Sequence, residues 1–345
     1  MATVQTAFHE SPLGATPIRD LGLTLAGTDL EQVLQTFDKE RERLGLRLRP
    51  HYYLSTEWGV PFGTVSIAIP FYLARQELTR YHAQRGGHVE GTSRADILRY
   101  LRHELGHVVN YAYKLYETDQ WIRHFGAITQ PYKEEYRPEP FSPRFVRHLP
   151  GWYAQKHPDE DWAETFAVWM TPRHNWKREY GDQPGALAKL TYCDRILNEL
   201  KSREPLVTST ELDEDATQLG YSLEDFYRAD SASGAPLPPG LDGALQAIFE
   251  DLSVNGDQQK QQPASALIRR LTEDLPAAVY RWTGHFPERT RALLERLAAR
   301  ADELQQFYRQ DQEARAATAV TTLVTALAMN HVCRGSYVPA ETRAE

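Results

Sequence analysis

SRADILRYLRHELGHVVNYAYKLYE, residues 93–117, carries both a fold signal and a chemical one. Ser93 with Asp96 three positions on makes a helix start of the capping-box type, Asp standing where Glu or Gln is usual. Ile97, Leu101, Leu105, Val108, Ala112 and Leu115 then recur at intervals of three and four. That rhythm predicts one helix with a buried face, running to about residue 117. Inside it, His103-Glu104-Leu105-Gly106-His107 places two imidazoles four residues apart. They therefore share a face and reach a single Zn²⁺ at about 2.0–2.1 Å. Glu104, beside the first histidine, faces the open side of such an ion and accepts a proton from water there.

A catalytic zinc takes three protein ligands and a water. A tight continuation of the helix motif is absent, because Asn110 and Tyr113 stand where it would need Gly and His. The natural donor is YAQKHPDEDWAETFA, residues 153–167, with Asp159, Glu160, Asp161 and Glu164. A second helix is expected there, from near Asp159 to Thr171, where Pro172 stops it. Glu160 and Glu164 lie one turn apart and project from one face. One can ligate while the other orients a ligating histidine through its second ring N–H. Periodicity does not choose between them. Asp159 suits the positive end of the helix dipole. Glu164 sits among Trp162, Phe166 and Trp169, where an unpaired carboxylate is costly. His157 is an alternative ligand but reads more readily as a surface residue. His148 is either a second oxyanion donor or a satisfied structural histidine. Arg102 faces away from the ion and suits a structural ion pair.

Outward from these motifs, residues 28–43 read as an amphipathic helix capped by Thr28 or Asp29. LRLRPHYYLS (46–55) and GTVSIAIP (63–70) read as strands separated by Gly59, Pro61 and Gly63. Pro70 cannot donate to a ladder, so the second strand lies at an edge or ends there. Helices are expected at 71–84 and 187–201, with a long irregular excursion at 118–150. After residue 204 come polar linkers near 230–243 and 255–263. A long helix is expected near 287–331, its stripe made by Leu293, Leu297, Leu304, Phe307 or Tyr308, Val320, Leu323 and Leu327. The expected organisation is α+β in three parts: a helical segment 1–45, a domain 46–204 and a mainly helical region 205–345.

The 345 residues carry a formal net charge of -8, which favours neither nucleic acid nor an anionic membrane as partner. The two cysteines, Cys193 and Cys333, have no metal-type spacing and build no disulfide framework. The N-terminus lacks a signal-peptide pattern. AVTTLVTALAM (319–329) is too short and threonine-rich to span a bilayer. A cytoplasmic protein is the expectation.

At its two motifs the chain resembles the gluzincin metallopeptidases, and most of all a bacterial family of zinc-binding metallopeptidases. Members of that family pair an LRHE-x-GH helix with a downstream Y-x6-E-D-W-A-E-T-[FW] segment. Here these are Leu101 through His107 and Tyr153 through Phe166. Lethal-factor-type proteases are more distantly similar. The resemblance spans about residues 45–200 and implies a zincin-like core: a small mixed sheet with an edge strand, the motif helix, and a second helix carrying the glutamate ligand. It implies one zinc per chain on His103, His107 and Glu160, with Glu164 behind a ligand and Tyr153 steadying the oxyanion. It also implies that Thr64, Val65, Ser66, Ile67 and Ala68 form an edge that pairs with an extended peptide.

The function expected is a zinc-dependent peptidase, an endopeptidase in type, cleaving peptide or protein substrates with Glu104 as general base. Two other functions compete with it. One is a zinc-stabilised, non-catalytic regulatory protein whose C-terminal helices engage a protein partner. The other is a zinc hydrolase of a non-peptide amide.

Overall fold

The computed structural model describes residues 13–85, 88–132, 136–229, 241–251 and 261–338. In chain order the elements are α1 (Asp29–Glu42), β1 (His51–Ser55), β2 (Ser66–Pro70), α2 (Gln76–Gln84), α3 (Arg94–Ala112), α4 (Asp119–Phe125), α5 (Pro158–Met170), α6 (Trp176–Glu179) and α7 (Pro184–Leu200). They continue with α8 (Leu223–Ala229), α9 (Asp242–Ile248), β3 (Glu250–Asp251), β4 (Gln261–Pro263), α10 (Ala264–Arg270), α11 (Leu275–Thr283), α12 (Pro287–Glu303), β5 (Gln306–Arg309) and α13 (Glu313–Arg334). Helices dominate over two small, separate sheets, an α+β composition. The expected single mixed sheet is not seen among the described residues: β1 and β2 pair in parallel, while β3, β5 and β4 form an antiparallel trio.

The chain divides into two compact units, neither of them a continuous stretch. The first comprises the described residues within Met1–Arg85, Val89–Glu117 and Arg195–Ser233. Its core joins Leu30, Val33 and Phe37 of α1, Ile67 and Ile69 of β2, and Leu101, Leu105 and Val108 of α3, all buried. Each such side chain contributes about 1.5–3 kcal/mol by leaving water. Thr28 settles the first cap, its side chain accepting from the Glu31 N–H. Ser93 opens α3 by accepting from the Asp96 N–H at 3.2 Å, and its hydroxyl donates back to Asp96 Oδ2 at 2.8 Å. α3 ends at Ala112, five residues before the expected point, because Lys114 turns into the left-handed region (φ 49°). The chain after α7 returns to this unit: the Leu206 and Val207 N–H groups both donate to Ala112 O, and Ala216 N–H donates to Leu54 O.

The second unit comprises the described residues within Gly86–His88, Thr118–Asp194 and Gly234–Glu345. The expected excursion 118–150 contains a short helix, α4, capped by the Thr118 side chain. The long helix expected over 287–331 is two helices. Gln305 adopts φ 51°, and Gln306–Arg309 then extend and pair with both β3 and β4. Strand pairing overrides a helical stripe that runs unbroken through Leu304 and Tyr308. Leu293, Leu297, Val320 and Leu327 of that stripe are buried together with Leu245, Ile268 and Val279. Most of the two expected linkers, 230–240 and 252–260, lies outside the described residues; Gln261–Pro263 at the end of the second is β4. One helix among the described residues, Gln310–Arg334, is long and apolar enough by length and composition to cross a membrane, with mean hydropathy 1.3 and 28% of its apolar window buried. Its Ala316, Val320, Val324 and Leu327 pack in the core just described.

Candidate metal centre

The spacing of four on α3 brings the motif histidines together. Their rings meet edge to face with centroids 4.9 Å apart, and the two Nε2 atoms lie 3.1 Å from each other. At that separation one ring donates and the other accepts. His103, Glu104 and His107 are all buried. Just before them, Arg102 makes a two-pronged pair with Glu40 of α1, Nε to Oε2 at 2.9 Å and a terminal nitrogen to Oε1 at 3.0 Å. This is the structural ion pair expected of Arg102, and it fixes α3 next to the first histidine.

α5 begins with His157 as its cap. His157 Nδ1 accepts from the Asp159 N–H at 3.2 Å, and Nε2 bonds Gln130 O at 3.0 Å. Both ring nitrogens are engaged, so His157 serves the helix end rather than a metal. Pro158 follows at the first helical position, where its missing N–H costs nothing. The three acids after it are not a solvated helix start: Asp159, Glu160 and Asp161 are all buried. Asp161 is paired with the Lys189 ammonium at 2.6 Å. Burial pushes the Asp161 carboxyl up to about 7, with Lys189 opposing and the charge of Glu164 assisting.

Glu164, fully buried, accepts from two backbone donors: the His148 N–H at 2.8 Å and the Leu149 N–H at 3.0 and 3.1 Å. These bonds satisfy the carboxylate that seemed costly among aromatic side chains, and they fasten residues 148–149 to α5. Two residues on from Leu149, Gly151 O accepts from the Tyr136 hydroxyl at 2.6 Å. Burial, with the charges of Glu164 and Glu160, raises the Tyr136 phenol above its ordinary value and keeps it neutral.

Among the described residues, His103, His107 and Glu160 form a buried group placed to hold a metal ion. One ligand atom from each lies within 4.8 Å of the other two. Of the two candidate glutamates, Glu160 is the one grouped with the histidines. Two neutral imidazoles and a carboxylate are three protein ligands of the types a catalytic zinc takes, so the donor set fits that ion.

Two tyrosines stand beside Glu160. Tyr132 donates its hydroxyl to Glu160 Oε1 at 2.9 Å and lies 3.4 Å, oxygen to oxygen, from Tyr153. The Lys156 ammonium is 4.4 Å from the Tyr132 ring centre and 5.3 Å from that of Tyr153. Tyr132 and Tyr136 carry no sequence signal of their own. Both belong to the aperiodic stretch 118–150, where spacing says nothing about which side chains face inward.

The expected substrate edge is placed differently from the expectation. Thr64, Val65, Ser66, Ile67 and Ala68 are all buried. On the side of β2 away from β1, the Ala68 N–H donates to Gly59 O at 2.8 Å and the Ser66 N–H to Thr64 Oγ1 at 3.3 Å. The Val65 N–H is taken by Ser209 O at 2.8 Å. The protein's own chain occupies the donors that an added strand would need.

Comparison with family models, with curated proteins and with solved structures finds no match for this chain.

Proposed function

We propose that the chain is a zinc-dependent peptidase built on a zincin-like core, with His103, His107 and Glu160 holding the ion. The observation that carries this reading is the buried group of two imidazoles and one carboxylate, with Glu104 next in sequence to the first imidazole. A purely structural metal site needs no carboxylate base beside its ligand; a hydrolytic one does.

Zinc, when bound, supplies Lewis acidity, lowering the pKa of a water to about 7 and polarising the carbonyl to be cleaved. Glu104 accepts the proton of the attacking water and passes it to the departing amine. The Tyr153 hydroxyl donates to the oxygen that gains charge as the carbonyl turns tetrahedral. Glu164 holds the backbone of residues 148–149 while Tyr136 holds Gly151, two positions before Tyr153. The loop that presents Tyr153 is thus tied down at two points.

The outer N–H donors of Ser66 and Ala68, which the chain itself occupies, favour a substrate recognised through its side chains and leave a non-peptide amide as the second reading. Incubating the zinc-loaded protein and its Glu104→Gln variant with a peptide library separates the two. Cleavage by the wild type and none by the variant supports the peptidase. Zinc bound with no peptide cleaved by either protein sinks it and leaves the amide or a non-catalytic regulatory role.

A further inference from the structure

The connection from β1 to β2 holds a phenylalanine out to solvent. The Thr64 N–H donates to Pro61 O at 3.1 Å and Gly63 takes φ 74°, the pattern of a type II turn with Phe62 at its second position. The Thr64 hydroxyl donates to the same Pro61 O at 2.8 Å, and Gly59 O, on the other side of the turn, accepts from the Ala68 N–H. The Phe62 ring on this fastened turn is 63% accessible. A single exposed apolar side chain is ordinary, but this one belongs to a cluster. It meets the Tyr111 ring edge to face with centroids 4.9 Å apart, and the Tyr116 ring at 5.4 Å. Tyr111 and Tyr116 meet each other at 6.3 Å. Tyr111, buried, lies one turn after His107 on α3, with ring centroids 6.1 Å apart. Steps of 6.1 and 4.9 Å put the Phe62 ring within about 11 Å of the His107 ring.

We propose that Phe62, with Tyr111 and Tyr116 against it, forms the subsite that recognises a large apolar side chain of a peptide substrate, aromatic or leucine-sized, within about three residues of the cut. This rests on the reading of the chain as a zinc peptidase. The reach follows from the spacing, since an extended peptide advances about 3.3 Å per residue. The class of side chain follows from the rings. Their planes are inclined to one another by 52–81°, so an incoming ring finds both edges and faces to pack against, the contacts aromatic pairs prefer. Covering Phe62 also removes apolar area from water. The turn is already held on both sides, so little ordering is needed on binding. Phe62 touches the substrate's side chain and not the reacting atoms, which makes it a specificity residue.

The test uses the full zinc-loaded chain and a randomised peptide library, with the residues flanking each cut identified. Wild type is expected to select Phe, Tyr, Trp or Leu at one fixed position within about three residues of the cut. The best such peptide and its alanine counterpart are then compared on wild type, Phe62→Ala and Phe62→Tyr. In Phe62→Ala the ratio of their kcat/KM values should fall about 10–100-fold, through KM, with the alanine peptide cut as before. Phe62→Tyr, which keeps the ring, should retain the wild-type ratio. Binding is read separately in the Glu104→Gln background, where the dissociation constant of the preferred peptide should rise by the same factor when Phe62→Ala is added. Cleavage without an apolar preference, or a preference that Phe62→Ala keeps, overturns the subsite and leaves the peptidase standing. A wild-type protein that cuts no peptide overturns both.

Discussion

The Nε2 atoms of His103 and His107 lie 3.1 Å apart. Two ligands on a tetrahedral zinc at about 2.05 Å stand about 3.3 Å from each other. The pair is set to nearly the bite of a bound ion before any ion arrives, so little rearrangement is needed to load it. His103→Ala, His107→Ala and Glu160→Gln are each expected to lose most of the metal, as measured by elemental analysis after dialysis. Full zinc retention in Glu160→Gln would remove that residue from the ligand set.

Glu104→Gln is expected to behave differently. It keeps zinc at one per chain, because Glu104 is assigned to the proton and not to the ion. It should lower kcat/KM on a cleaved peptide by about 10²–10⁴-fold. A variant that cleaves at the wild-type rate would show that the base lies elsewhere.

Glu164 accepts from two backbone N–H groups in a fully buried setting. In Glu164→Gln the negative charge is lost, and one of the two oxygens that the Leu149 N–H shares becomes an amide NH₂. The expected cost is about 1–3 kcal/mol of stability, read by chemical denaturation. The loss should persist in metal-free protein, since these bonds need no ion. If it appears only with zinc bound, Glu164 acts mainly through a ligand.

His285 gives a pH dependence that is independent of the metal. Its Nδ1 bonds Thr290 Oγ1 at 2.7 Å and its Nε2 the Tyr337 hydroxyl at 3.0 Å, while the His331 ring packs against it. Burial, and then the neighbouring charges of His331 and Arg289, depress the imidazole to about 3. The unfolded chain protonates it near its ordinary 6.5 while the fold resists. Its contribution is therefore complete above about pH 6.5 and is lost as the pH falls toward 3, at up to about 1.4 kcal/mol per pH unit. The His285 ring proton resonance should stay flat from pH 7 to about 4. A titration centred near pH 6 would contradict the burial argument.

The parts of this molecule that sequence made legible are those where one local rule decides. Four-residue spacing placed His103 and His107 side by side, and a helical turn made Glu160 and Glu164 the leading candidates, ahead of His157, for the third member of the group. Arg102 was legible for the same reason, since a residue next to a ligand on a helix faces elsewhere. What escaped depends on distant partners. The stripe through Leu304 and Tyr308 is indistinguishable from a continuous helix until β3 and β4 offer Gln306–Arg309 a ladder. Tyr132 is 28 residues from the carboxylate it bonds and is delivered there by irregular backbone, which leaves no periodic trace. The outer donor of Ala68 in β2 is taken by Gly59, and the Val65 N–H just before β2 by Ser209, more than 140 positions away in the chain.

That closure has a consequence for what the molecule would do in a cell. A protease that lays a substrate alongside an open strand grips any extended chain, because every peptide has the same backbone. One whose strand is already paired has no such universal handle, and must distinguish its targets by the side chains they present. For the proposed peptidase, the β2 arrangement thus favours an editor over a scavenger: a few cuts in chosen proteins, with the unfolded chains around it ignored.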